Sequence, residues 1–125
     1  MPEPKVIEFG TRDYSAILAK DRRYDSRAYD FTLEVMRTAA EQTHGQGRVS
    51  GRELLDWFAD MAHEAYGPMS YAVLTDWGVE SCEDVGEIMF NLCRAGFIEE
   101  NDSDSAADFI GAYDFKEEFL APYLP

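Results

Sequence analysis

The sequence predicts a mainly α-helical fold with a small β-hairpin near its C-terminal end. Three observations point there. Apolar residues recur at three-and-four spacing in three stretches, Ser or Asp caps precede those stretches, and short apolar runs at 97–98 and 109–115 flank a polar loop. With 125 residues, 46% hydrophobic and 14% aromatic, the chain can bury one real core. It shows no internal repeat and no linker that would mark a second domain.

Residues 1–22 read as an N-terminal arm and short helix. Val6-Ile7-Glu8-Phe9 suggests an extended piece, and Thr11, Asp13 and Ile17-Leu18 suggest a helix ending near Lys20. The single helical domain spans 23–120. Asp25 is a good N-cap for a helix reaching about His44 and stopped at Gly45. Its apolar stripe is Ala28, Phe31, Val35, Met36 and Ala39, widened by Tyr29, Leu33 and Ala40. Arg48-Val49-Ser50 reads as a short extended stub. Ser50 and Glu53 form a capping box that opens a helix to Tyr66, with Leu54, Leu55, Phe58, Met61, Ala62 and Ala65 on one face. Gly67-Pro68 stops that helix and starts a short one through Asp76, and Trp77-Gly78-Val79 is a turn. Ser81, with Asp84 three residues on, opens a helix whose stripe is Val85, Ile88, Met89 and Leu92, ended by Gly96. The hairpin is expected within 97–115, around the loop Asn101-Asp102-Ser103-Asp104-Ser105. A short helix at Lys116–Leu120 and a tail, 121–125, complete the chain.

That order of helix, stub, three helices, strand, loop and strand is winged-helix-like over residues 25–115, with one short helix inserted at 68–76. A helical bundle plus hairpin is the rival arrangement. The charge argues against the usual winged-helix role. Residues 1–52 carry nine Lys or Arg against eight Asp or Glu, a net +1, whereas residues 53–125 carry two against seventeen, a net −15. On the helix at 82–95, the side opposite Val85 and Leu92 holds Glu83, Glu87 and Arg94, and the wing would be Glu99-Glu100-Asn101-Asp102-Ser103-Asp104. Such a surface repels phosphates, which disfavours nucleic acid as a partner and favours a basic protein. The cationic group Lys20, Arg22, Arg23 and Arg27 is the one place that could touch nucleic acid; its plainer reading is helix-flanking charge paired with Asp21, Asp25 and Asp30.

No apolar run is long enough to cross a membrane, and Met1-Pro2-Glu3-Pro4-Lys5 leads into no apolar leader segment, so a cytoplasmic protein is expected. Cys82 and Cys93, on one helix, would lie about 16 Å apart, too far for a disulfide. They read as reduced thiols.

Few residues group into a reaction centre. His63-Glu64 begins like the zinc-protease helix motif but has no second histidine four residues on. Asp102, Asp104 and Asp108 are the candidate cation ligands, yet Ala106 and Ala107 stand where a calcium loop needs an oxygen ligand and a glycine. No catalytic residue or cofactor is assigned. Aromatic residues give the better interaction signal: Phe90 lies off the core stripe next to Gly86, which would let another element approach closely, and Trp77 sits at a turn as either a plug or a hot spot. Trp77, Phe90, Glu83 and Glu87 are the expected partner-binding residues.

Several strings together resemble a family of small uncharacterised bacterial proteins of planctomycete and verrucomicrobial type. They are Arg23-Tyr24-Asp25 with Arg27-Ala28-Tyr29, Val49-Ser50-Gly51 with Glu53-Leu54-Leu55, Gly67-Pro68-Met69, and Trp77-Gly78-Val79. Glu83-Asp84-Val85-Gly86-Glu87-Ile88 with Phe90-Asn91-Leu92, Asp108-Phe109, and Tyr113-Asp114-Phe115 complete the likeness over about residues 23–119. The resemblance implies no activity. The sequence therefore favours a non-catalytic protein–protein interaction or adaptor domain. The alternatives are a small carboxylate- or metal-dependent enzyme and a nucleic-acid-associated regulator working through residues 20–27.

Overall fold

A computed structural model describes residues 12–42, 49–98 and 106–125. Among the described residues six α-helices follow one another: α1 (Ser15–Lys20), α2 (Ser26–Gln42), α3 (Gly51–Tyr66), α4 (Ser70–Asp76), α5 (Cys82–Arg94) and α6 (Phe115–Phe119). The same residues form 3₁₀ turns at Gly67–Met69 and Ala106–Phe109, between helices, and at Ala121–Tyr123, after α6. α2 packs against both α3 and α5, and α6 closes over α3 and α4. No β-strand forms among the described residues, so the winged-helix reading and the hairpin at 97–115 are corrected to a helical bundle. The expected extended piece at 6–9, the break at Gly45-Gln46-Gly47 and the wing at 99–104 lie outside the described residues.

Both supposed strands have a local alternative. After α5, Gly96 adopts φ 84°, its N–H bonds to Cys93 O at 3.1 Å, and the Phe97 N–H bonds to Leu92 O at 3.0 Å. This is a Schellman C-cap, and Phe97 is its apolar residue, packed 4.9 Å from the Tyr14 ring. The second run buries alternate residues by separate anchors. Phe109 is 2% exposed, the Tyr113 hydroxyl donates to Leu55 O at 2.9 Å, and Asp114 caps α6 by accepting from the Glu117 N–H at 3.1 Å. Alternating apolarity here marks three plugs into a helical core, with Gly111 at φ 64° turning the chain between them.

Phe109 occupies a slot cut by two glycines. A Cβ on Gly86 of α5 would lie 2.8 Å from Phe109 Cγ, and one on Gly51 of α3 would lie 3.0 Å from its ring. The close approach expected at Gly86 is thus made by a single phenylalanine from a 3₁₀ turn, and Phe90 meets the same ring edge-on at 6.3 Å.

The helix starts follow their caps. Asp25 Oδ1 accepts from the Arg27 N–H at 2.9 Å, Ser50 Oγ from the Glu53 N–H at 3.1 Å, and Ser81 Oγ from the Asp84 N–H at 3.2 Å. The core is one hydrophobic cluster, with Phe31 at its centre against Phe58 at 5.0 Å and Trp77 at 5.7 Å. The stripes on α2, α3 and α5 are buried nearly as expected, except that Met36, Ala40 and Met61 are only partly covered and Ala65 is exposed. Asp30, unexpectedly, is 1% exposed; it accepts from the Tyr14 hydroxyl at 2.5 Å and lies 3.5 Å from an Arg12 guanidinium nitrogen.

The glycine slot is testable by a double-mutant cycle in urea denaturation. Phe109→Ala should cost about 3–5 kcal/mol and Gly86→Ala about 1–3 kcal/mol by overpacking. In the Phe109→Ala background the Gly86→Ala cost should nearly vanish; an undiminished cost would show that the added methyl clashes elsewhere.

Candidate functional site

The turn from α1 into α2 is fixed against the corner between α4 and α5. α4 ends in a second Schellman cap: the Val79 N–H bonds to Leu74 O at 2.9 Å and the Gly78 N–H to Thr75 O at 3.0 Å, with Gly78 at φ 89°. A Cβ on Gly78 would stand 2.1 Å from Arg23 O, so only glycine lets the two turns meet. The Asp25 N–H then donates to Trp77 O at 3.0 Å. Between them the buried Tyr24 sends its hydroxyl to Asp84 Oδ1 at 2.5 Å, while Asp84 Oδ2 accepts from the Glu80 N–H at 2.9 Å.

This docking opens a cavity of about 650 Å³ between α1, residues 21–23 and the C-terminal half of α5. α5 and its C-cap contribute Glu87, Asn91, Arg94 and Ala95, one stripe; Ala16 and Ile17 of α1 supply apolar lining; Lys20, Arg22 and Arg23 supply positive charge. Asp21 and Arg23 form one wall. Arg23 Nε donates to Asp21 Oδ1 at 2.9 Å and Nη2 to Oδ2 at 2.6 Å, a two-pronged pair, with the Arg23 N–H adding a bond at 3.1 Å. Asn91, 8% exposed, donates from Nδ2 to Asp21 Oδ2 at 3.1 Å and to the Tyr29 hydroxyl at 3.2 Å, and its Oδ1 accepts from Arg94 Nη1 at 3.2 Å. Arg23 also reaches Glu87 Oε2 at 3.3 Å.

The electrostatics follow from those bonds. The Arg23 guanidinium, helped by its backbone N–H and by Asn91, holds the Asp21 carboxyl well below the usual carboxylate range. In return, Asp21 pushes Arg23 above the ordinary arginine value. Burial pushes the Tyr29 phenol up, and the nearby Asp21 charge adds to it. The wall therefore keeps fixed charges through the neutral range. Of the expected basic group, Arg23 pairs with Asp21, and Arg27 pairs with Asp25 at 2.8 Å and Asp76 at 3.5 Å. Lys20 and Arg22 make no ion pair among the described residues, and Asp30 serves Tyr14 and Arg12 instead.

The four residues expected to meet a partner are dispersed. Glu87 lines the cavity; Glu83 accepts from the Gly111 N–H at 3.0 Å; Phe90 is half-buried on Phe109. Trp77 is 3% exposed between Phe31 and Tyr66, the packing of a plug. Asp102 and Asp104 lie outside the described residues, and Asp108 sits beside Gly51. No group of three or more metal-ligating side chains converges among the described residues. Cys82 and Cys93 form no disulfide, and burial pushes the Cys82 thiol up. No described helix is long and apolar enough to cross a membrane.

Sequence reasoning missed two constellations because each joins distant positions. One is the Asp21–Asn91–Tyr29 network. The other places His63 between the Tyr123 hydroxyl, 2.6 Å from Nδ1, and Glu118 Oε1, 3.3 Å from Nε2, tying α3 to α6 and to the last 3₁₀ turn. Family models, curated proteins and solved structures yield no match to the chain, so its role rests on this geometry.

Asp21 makes stability sensitive to acid. Its folded pKa lies below the unfolded value, so its contribution is complete above about pH 4 and is lost as pH falls through the depressed folded value. Asp21→Asn should flatten the acid limb of stability, followed as the urea midpoint against pH. An acid limb as steep in the variant as in the native chain would contradict the pairing.

Proposed function

We propose that the protein is a non-catalytic binding domain whose recognition site is the charged cavity between α1 and α5. The observation that carries this reading is the cavity wall itself: Arg23 and Asn91 both donate to Asp21, and Tyr29 anchors Asn91 to the core. A site built for proton transfer needs a group poised near neutral pH. Here Asp21 and Arg23 are driven the opposite way, each stabilised in its charged form. Rigid charges around a cavity in the size range of ligand sites suit recognition.

The group this cavity suits is anionic, because Lys20, Arg22, Arg23 and Arg94 outnumber Asp21 and Glu87 around it. That is opposite in sign to the basic partner suggested by the net charge of −14. The overall acidity acts at longer range, disfavouring polyanions and leaving the cavity open to compact anionic groups. Two cysteines held outside any disulfide suit a cytoplasmic setting.

Isotope-labelled protein in unlabelled cell lysate tests the reading. Amide signals of residues 16–23 and 87–95 should shift or broaden. The double variant Arg22→Glu, Arg94→Glu should abolish the effect, and Asp56→Asn with Asp60→Asn, on the exposed face of α3, should not. Perturbations confined to the α3–α6 face, or none in the cavity, would contradict it.

A further inference from the structure

We infer that the cavity takes a free small molecule bearing a single oxyanion head, a carboxylate or a phosphate monoester, on a compact apolar body; this rests on the binding-domain reading above. Three features of the site select that chemistry.

The first is the division of labour among the cations. Arg23 is consumed by Asp21 and Glu87, so it shapes the wall. Arg94 spends one donor on Asn91 Oδ1, and Lys20 and Arg22 have no ion pair among the described residues. Three cations from two sides of one cavity thus remain to meet an oxyanion, and the arginine forks match the planar carboxylate and the phosphate edge. Asn91 cannot turn its amide to compete, because Nδ2 is committed to Asp21 and Tyr29 while Oδ1 is held by Arg94.

The second is the lining. Ala16, Ile17 and Ala95 bring apolar surface into the same space, so a ligand with an apolar body gains burial that a bare ion does not. About 650 Å³ accommodates a small organic molecule.

The third excludes a polymer. A nucleic-acid strand leaving the cavity would carry a phosphate every few ångströms over a protein whose residues 53–125 hold a net charge of −15. A ligand with one anionic head keeps its charge inside.

Calorimetric titration with phenyl phosphate, benzoate, inorganic phosphate and a single-stranded oligonucleotide provides the test. Phenyl phosphate or benzoate should bind one site saturably, more tightly than inorganic phosphate. Arg94→Gln, at an exposed position and checked for an unchanged melting curve, should weaken that binding about tenfold or more. Failure of both organic probes to saturate, affinity untouched by Arg94→Gln, or oligonucleotide binding at least as tight would each overturn the inference. If neither probe binds while lysate still perturbs the cavity amides in a manner dependent on Arg22 and Arg94, the small-molecule class falls and the binding-domain reading stands. If the lysate leaves those amides unmoved, the reading falls with it.

Discussion

The Arg23 carbonyl lies 2.1 Å from where a Cβ on residue 78 would stand, and the absence of a side chain there lets the α1–α2 turn dock on the α4–α5 corner. Gly78 meets two demands at once, since its φ of 89° also completes the Schellman cap of α4. Any L-residue there would face both backbone strain and a collision with a carbonyl that cannot swing away like a flexible side chain. The docked turn is then sealed by the Asp25 N–H on Trp77 O and by Tyr24 on Asp84. The cavity exists because this docking holds residues 21–23 across from α5.

From that constraint the chemistry follows in order. With the turn fixed, Asp21 faces Arg23 and Asn91 together, and its two oxygens are filled by their donors. Asn91 in turn anchors to Tyr29, which is fully buried, so the charged wall is tied directly to the hydrophobic core. A buried polar network of this kind is worth having only when its members are satisfied. Here the Asn91 amide is satisfied on both sides. Such a wall is pre-organised, so binding need not order it first.

Helices and caps were legible in the sequence because they are local. Ser50 with Glu53, Ser81 with Asp84, and Asp25 with Arg27 act within three residues of themselves, and the stripes on α2, α3 and α5 repeat at helical spacing. The hairpin was misread for an equally local reason. Phe97 after Gly96 satisfies strand propensity and the apolar position of a Schellman cap alike, and the carbonyl left by α5 decides for the cap. Phe109, Tyr113 and Phe115 alternate like a strand, but Phe109 answers to Gly51 and Gly86, which lie 58 and 23 positions away in the chain. The cavity was half visible. Helical spacing puts Glu87 and Arg94 on one face, and Lys20, Arg22 and Arg23 stand out as a cationic group, yet nothing local says the two face each other. That pairing depends on Gly78, whose role in sequence was only to mark a turn.

Native-state hydrogen exchange of the Asp25 amide tests the central claim most directly, because this N–H is the bond that joins the α1–α2 turn to Trp77. If the docking is integral to the fold, Asp25 and Val79 open only with the core amides of α2 and α5, at the free energy of global unfolding. Exchange of Asp25 orders of magnitude faster than those core amides would show a turn that opens on its own, and with it a cavity that is not preformed.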